Sequence, residues 1–203
     1  TDYDFGVSAN YAFAEKITCS NDEARRMYVE AFGHMLNYNH EQAIACFTKC
    51  TELDPNCAMA WWGIAYCLSS SYNWSAGLGP GYDAISQAVS LKDHCSELEQ
   101  DLIMALSKRH TKEARDNANP AALNMGNSPE LNQAFADAMA PLYEKYSGDL
   151  DVTAVYVEAL MNLNPWTLWN KDASTGEITP VDDSTLMLIK IMEDAFENVP
   201  GAK

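Results

Sequence analysis

Positive charge is scarce in this sequence. Its 203 residues include 13 Lys and Arg against 29 Asp and Glu, which gives a formal net charge of −16. Such a surface repels phosphate groups, so binding to nucleic acid or to an anionic membrane surface is disfavoured. The one basic cluster, from Lys108 to Arg115, is interrupted by Glu113 and is typical of a solvated helix end.

Long apolar runs and β-branched runs are also lacking. No stretch approaches the ~20 consecutive apolar residues of a membrane-spanning helix, so membrane insertion is not expected. Hydrophobic residues still make up 47% of the chain, enough to bury a core. Alanine, leucine, methionine and glutamate are common, and this composition favours α-helices.

The motifs of common active sites are absent from the sequence. There is no His-x-x-x-His, Cys-x-x-Cys, phosphate-binding glycine loop or serine nucleophile elbow. His34 and His40 flank one turn, but two ligands do not make a metal site. Asn170, Asp172 and Ser174 have the rhythm of a calcium loop but lack its glycine and its final glutamate. We therefore predict no catalytic residues, no cofactor and no metal ion.

The periodicity of apolar residues predicts eight helices after an irregular N-terminal arm at residues 1–18. Ser96 with Glu99 forms a capping box, and Ser128 followed by Pro129 is a strong helix start. No β-sheet is predicted. Seven helices are expected at about 21–36, 41–53, 58–70, 82–91, 128–146, 149–163 and 184–197, and the capping box at residue 96 starts the remaining one.

Residues 24–57 have the features of a helix–turn–helix repeat of about 34 residues. Ala31 and Ala43 are small residues where the two helices would cross, Phe47 is the large residue between helices, and Pro55 is the terminator. In the next helix we expect Trp61 to pack between repeats. Its truncation should therefore destabilise the fold more than truncation of Trp169, which lies in a loop.

The sequence resembles a group of bacterial, exported tetratricopeptide repeat (TPR) proteins. The resemblance rests on Asn39 to Ile44, on the run from Leu53 to Ala65 that contains Pro-Asn-Cys-Ala-Met-Ala-Trp-Trp-Gly-Ile-Ala, and on Asn164-Pro165-Trp166. It implies an all-α superhelix, a TPR-like solenoid of about four helix pairs over residues 19–203. Loops would be inserted at 71–81, 112–128 and 165–183, and further repeats are expected past residue 203.

In a TPR solenoid the first helix of each pair lines a concave groove. By this resemblance, the aromatic and apolar residues one helical turn away from the buried face would bind a partner. The two tryptophans of the last inserted loop would close over the groove or form a ligand platform. Burial under the inserted loops is an equal alternative. These candidates are Tyr28, Phe32, Trp62, Tyr66, Val157, Met161, Trp166 and Trp169.

The same group of proteins often carries cysteines at the positions of Cys19 and Cys57. The resemblance therefore implies a disulfide that ties the arm to the solenoid, with two free thiols as the alternative. Asn73 opens the glycosylation sequon Asn73-Trp74-Ser75. Both features favour an exported protein, periplasmic or extracellular, over a cytoplasmic one.

Three functions remain open at this point. The first is a non-catalytic scaffold that binds a protein or peptide partner. The second is a structural subunit that stacks end to end into a filament through its open apolar ends, because the last helix is apolar on more than one side. The third is small-ligand binding at the Trp166 and Trp169 loop.

Overall fold

The computed structural model describes residues 16–73, 80–116 and 128–198, and most of these residues are helical. This confirms the predicted all-α class at the level of secondary structure. The elements, in chain order, are α1 (Asp22–Leu36), α2 (His40–Leu53), α3 (Ala58–Cys67), α4 (Pro80–Leu91), a 3₁₀ turn (Lys92–His94), α5 (Glu97–Ser107), α6 (Lys112–Asp116), α7 (Pro129–Lys145), α8 (Leu150–Met161), β1 (Trp169–Lys171), β2 (Ile178–Pro180) and α9 (Asp183–Asn198).

The helix starts follow from their capping residues. Ser96 accepts a hydrogen bond from the Glu99 amide, and the Glu99 carboxylate in turn accepts one from the Ser96 amide, so the predicted capping box is confirmed. Ser128 caps α7 with Pro129 in its first turn, also as predicted. Asn21 and Asp149 cap α1 and α8 in the same way. Each cap satisfies amides that would otherwise lack a partner at a helix start.

Each long helix packs mainly against the one before it and the one after it. The contacts run from α1 to α2 and onward to α5, then from α5 to α7 across the short α6, and finally from α7 to α8 and α9. Weaker contacts join α1 to α3 and α3 to α5. The fold is therefore a linear succession of neighbouring helices around one continuous core.

Small residues allow the close approach of α2 and α3. Phe47 is fully buried, and a Cβ at Gly63 would overlap its ring, so α3 can pass Phe47 only because residue 63 is glycine. Ala31 and Ala43 are likewise fully buried on α1 and α2. The small and large positions identified in the sequence thus lie where helices meet.

The prediction for the tryptophan pair of α3 needs correction. Trp62 is the buried member, 1% exposed, and its indole nitrogen donates a 3.1 Å hydrogen bond to the Leu102 carbonyl on α5. Trp61 is only half-buried and donates to the Pro55 carbonyl at 3.3 Å. Nearly every residue of α3 is buried, so its apolar pattern has no polar side to fix the rotation of the helix.

A small β-hairpin also departs from the prediction that no β-sheet would be present. β1 and β2 pair antiparallel, with Trp169 opposite Pro180 and Lys171 opposite Ile178. The Asp172 carboxylate accepts hydrogen bonds from the amides of Ser174 and Thr175, and Gly176 follows at a φ of +74°. This is a compact turn that closes a hairpin.

The segment before α1 is anchored to the helices. Thr18 donates from its amide and its hydroxyl to the Glu99 carboxylate at 2.7 and 2.6 Å. Ser20 likewise donates from its amide and its hydroxyl to the Asp54 carboxylate at 2.7 and 2.8 Å. Residues 1–15 of the predicted arm lie outside the described residues. Among the described helices, none has both the length and the apolar character required to cross a bilayer.

Candidate functional site

Most of the predicted groove residues are part of the core. Tyr28, Phe32, Trp62 and Tyr66 are 0%, 1%, 1% and 3% exposed, so these four side chains offer no surface to a partner in this structure. The Tyr28 ring packs against Phe47 and Phe32, and the Trp62 ring against Tyr66. Burial is the alternative that the structure favours for them.

The remaining candidates are more accessible. Val157 and Met161 are half-buried on α8 against the core. Trp166 and Trp169 are 70% and 52% exposed, and both follow α8. Trp169 belongs to β1, whereas Trp166 lies in the connection before it.

A polar cluster occupies the interior beneath this connection. The Tyr66 hydroxyl donates a 2.5 Å hydrogen bond to the buried Glu158 carboxylate. Arg109 is also buried; it donates to the Asn132 side chain at 3.0 Å and to the Ser70 carbonyl at 2.5 Å. Asn132 donates onward to the Asn162 carbonyl at 2.9 Å. The cluster therefore joins α3, the turn after α5, α7 and α8.

The ionisation of these groups is governed by burial. Burial raises the pKa of Glu158 even though Tyr66 and Arg109 act in the opposite direction. Burial also raises the pKa of Tyr66 and lowers that of Arg109. Because Tyr66 and Arg109 are held by hydrogen bonds to neighbours inside the core, the cluster joins the helices through buried polar contacts.

Three aromatic residues in the turns after α1, α3 and α8 form what we call the aromatic rim: Tyr38, Tyr72 and Trp166. Tyr72 stacks on Trp166 with ring centroids 5.5 Å apart. Tyr38 stacks on His40 with ring centroids 6.0 Å apart, and its pKa is raised to about 12 by burial and then by Glu158 and Tyr72. Tyr38 and Trp166 have φ values of +60° and +65°.

Left-handed backbone at two large aromatic residues is unusual, because it costs roughly 1–2 kcal/mol at a residue with a Cβ. Such strain is concentrated at functional sites, where side-chain position matters more than local stability. Neither Tyr38 nor Tyr72 was identified from the sequence. The only available signal was the Asn37-Tyr38-Asn39 turn, which gives no indication of a neighbour on another helix pair.

An open groove of about 570 Å³ lies between α7, α8 and α9, beside the aromatic rim. We call it the acidic groove. Asn164, two residues before Trp166, is one of its lining residues, so the groove borders the rim. The full lining consists of Pro129, Gln133, Ala136, Asp137, Ala140, Tyr156, Leu160, Leu163, Asn164, Asp182, Asp183, Ser184 and Met187.

The acidic groove has an apolar floor and anionic edges. Ala136, Tyr156 and Leu160 are buried beneath it, whereas Asp137 and Asp182 are exposed at its sides. The Asp182 carboxylate accepts hydrogen bonds from Ser184 and Asn164, and these bonds lower its pKa. The groove has the size of an ordinary ligand site and is suited to a ligand that combines apolar surface with positive charge.

The cysteines predicted to form a bridge are close together. Cys19 and Cys57 have their sulfur atoms within 4.8 Å of each other, and Cys50 of α2 lies within the same distance of both. All six cysteines are free thiols in this structure, so the bridge stays a prediction. The position of Cys50 was not anticipated, because the spacing of 19, 50 and 57 matches no metal or redox motif.

The predicted glycosylation site is accessible at its first residue. Asn73 is exposed in a turn after α3. Trp74 and Ser75, which complete the sequon, lie outside the described residues. An asparagine must be exposed to be glycosylated, and Asn73 meets this condition. Export of the protein stays a prediction.

Comparisons with protein-family models, with curated proteins and with solved structures gave no match.

Proposed function

We propose that this chain is a non-catalytic scaffold of the TPR type that binds a partner protein or peptide. The succession of neighbouring helices supports the solenoid part of this proposal. So does the passage of Phe47 against Gly63, which is the small-against-large contact expected between helices of TPR units. Fold alone does not name a partner, so the partner is argued from the surface.

The binding surface in this proposal is the acidic groove together with Trp166 at its edge, rather than the four buried aromatic residues. The observation that carries the proposal is the open volume of about 570 Å³ with Asp137, Asp182 and Asp183 around it. Trp166 adds an exposed aromatic face of the type enriched in binding hot spots.

The partner that fits this surface is an extended or helical peptide segment with basic and apolar side chains. Its cations would face the aspartates, and a Lys or Arg could stack on Trp166 through a cation–π contact. The net charge of −16 would attract such a segment over long range at low salt.

A peptide array tests this proposal. Labelled protein should select peptides rich in Lys and Arg next to apolar residues. Asp137→Asn should reduce the signal, because Asp137 lines the groove. Asp194→Asn changes the net charge equally but lies on the exposed side of α9 outside the groove, and it should bind as the wild type does. Equal loss in both variants would show only a general charge effect and would refute the groove.

End-to-end self-association is a second candidate function. Its support is a set of exposed apolar side chains on α9, namely Leu186, Met187, Met192 and Phe196. Contact between this surface and a different surface on a second copy of the chain would produce an open filament. Sedimentation over a range of concentrations tests it: a species that grows with concentration and is lost in Phe196→Ser would support it, and a monomer at all concentrations would exclude it.

Small-ligand binding by Trp166 together with Trp169 receives less support. Trp166 stacks on Tyr72, whereas Trp169 pairs with Pro180 in the hairpin. The two tryptophans thus have different partners, which does not favour one shared ligand platform. We therefore rank this third function below the other two.

A further inference from the structure

Three thiols meet where the segment before α1 crosses the turn between α2 and α3. Cys19 precedes α1, Cys50 lies in the last turn of α2, and Cys57 stands immediately before α3. Their sulfur atoms all lie within 4.8 Å of one another. Cys50 and Cys57 are 0% exposed and Cys19 is 9% exposed, so the cluster has one accessible edge.

We propose that the reduced protein binds one Cu(I) ion at this three-thiol cluster, through the sulfur atoms of Cys19, Cys50 and Cys57. Thiolates are soft ligands that select soft ions such as Cu(I). A structural zinc ion takes four ligands. Asp54, the acidic group beside Cys19, already accepts hydrogen bonds from Ser20 and from the Asn56 amide. The set therefore suits an ion that accepts three sulfur ligands.

Helix starts and a guanidinium offset the negative charge of the coordinated sulfurs. Cys57 is the N-cap of α3, and its carbonyl accepts a 3.1 Å hydrogen bond from the Ala60 amide. Cys19 lies two residues before Asn21, the N-cap of α1. Helix N-termini favour anions. Arg25 donates to the carbonyls of Cys19 and Ile17 at 2.6 and 2.8 Å, which brings a fixed cation to the same edge.

A buried hydroxyl without a partner lies in the same part of the core. The Tyr28 oxygen is buried and has no hydrogen-bond partner among the described residues. The Tyr28 ring packs against Phe47 of α2, the helix that also carries Cys50. A buried donor without an acceptor is costly, so this region is not fully satisfied by the protein's own groups.

Binding changes no oxidation state. Each coordinating thiol releases its proton to solvent and donates a sulfur lone pair to Cu(I). A disulfide between Cys19 and Cys57 would consume two of the three ligands, so the site belongs to the reduced form only. The bridge and the ion are thus alternative states of the same sulfurs.

Competition against a chromophoric Cu(I) chelator under anaerobic, reducing conditions tests the site. The wild type should withdraw one Cu(I) per chain from the chelator. Cys50→Ser and Cys57→Ser should each weaken retention at least tenfold. Cys19→Ser is a third variant whose fold is least at risk, because Cys19 precedes α1 and is the least buried of the three. Circular dichroism of each variant establishes that its helices are intact.

Two control variants separate this site from other thiols. Cys67→Ser removes a buried thiol of α3 outside the cluster. Cys46→Ser disrupts a second group of possible metal ligands. This group consists of Glu30, His34 and Cys46, whose ligand atoms lie within 4.8 Å of one another. Both controls should bind as the wild type does. The proposal is overturned if the reduced wild type retains no Cu(I), or if Cys46→Ser loses as much binding as Cys50→Ser.

Discussion

Tyr66 and Glu158, 92 residues apart in the sequence, are joined by a 2.5 Å hydrogen bond in the interior. The bond ties α3 directly to α8 although the two helices are not neighbours in the succession. It uses the hydroxyl of a residue that the repeat pattern placed on the groove surface. The Tyr66 side chain is therefore occupied inside the core, and the acidic groove that we propose as the binding surface lies farther along the chain, between α7, α8 and α9.

Trp62→Ala should destabilise the protein far more than Trp61→Ala. Trp62 is fully buried and loses a hydrogen bond to Leu102 as well as its packing, so we expect about 3–5 kcal/mol. Trp61 is only half-buried, so its truncation should lower the free energy of unfolding clearly less. Urea denaturation of both variants measures the difference. Equal losses would mean that α3 is rotated relative to the structure.

His110 should make the protein less stable as the pH falls below neutrality. Burial holds its pKa at about 4, below the ordinary value of 6.5, and its ring shares a 2.8 Å hydrogen bond with Ser69. The neutral form is therefore favoured by folding. Its contribution is complete above pH 6.5 and is lost as the pH falls toward 4. From pH 7 to pH 5 the loss should be roughly 2 kcal/mol.

His110→Gln is the matched variant for this effect, because it cannot titrate and can still bond to Ser69. The stability of the wild type relative to this variant should decline between pH 7 and pH 5 in urea denaturation. A difference that does not change with pH would contradict a buried, neutral His110.

Trp166→Gly should be more stable than Trp166→Ala. Both variants lose the stack on Tyr72, but only glycine adopts a φ of +65° without strain, and the advantage should be about 1 kcal/mol. Equilibrium unfolding of the pair isolates the backbone contribution, since the side-chain loss is common to both. If the alanine variant were equally stable, the left-handed conformation at residue 166 would be disproved.

Cys19 and Cys57 should be linked in protein purified without reductant, as the resemblance to exported proteins implies. Mass spectrometry of non-reduced peptides should find the pair joined and Cys50 free. The closed loop should stabilise the fold by about 3–4 kcal/mol on the chain-entropy model. Free thiols at both positions would refute the bridge and weaken the case for export.

The longer helices could be predicted from the sequence because their signals are local, whereas the five-residue α6 lies where a loop was predicted at 112–128. Ser96 with Glu99, and Ser128 with Pro129, fix helix starts through bonds within one turn. The hairpin was missed because its short, exposed strands bury no apolar face that would produce an alternating pattern. The rotation of α3 was misassigned because the helix is buried on almost all sides. Its sequence therefore has no polar face that would show which side points outward.

The candidate site was only partly predictable. Trp166 was identified as an aromatic residue of an inserted loop, with packing over the groove and a ligand platform both left open, and the structure places it at the surface. Its neighbour Tyr72, and the aspartates Asp137 and Asp182 of the groove, belong to other helices or turns. Which helices lie side by side is decided by tertiary packing, so no spacing in the sequence reveals these groups. For the same reason, the sequence did not indicate that Cys50 lies beside Cys19 and Cys57.

The binding account is tested most directly by titrating one array-selected basic peptide into three proteins: the wild type, Asp137→Asn and Asp194→Asn. The affinity should fall several-fold in Asp137→Asn and stay at the wild-type value in Asp194→Asn, because only Asp137 lines the groove. Replacing the peptide's Lys and Arg by Gln should abolish the difference between the variants. If Asp137→Asn binds the basic peptide as tightly as the wild type does, the acidic groove is not the binding site.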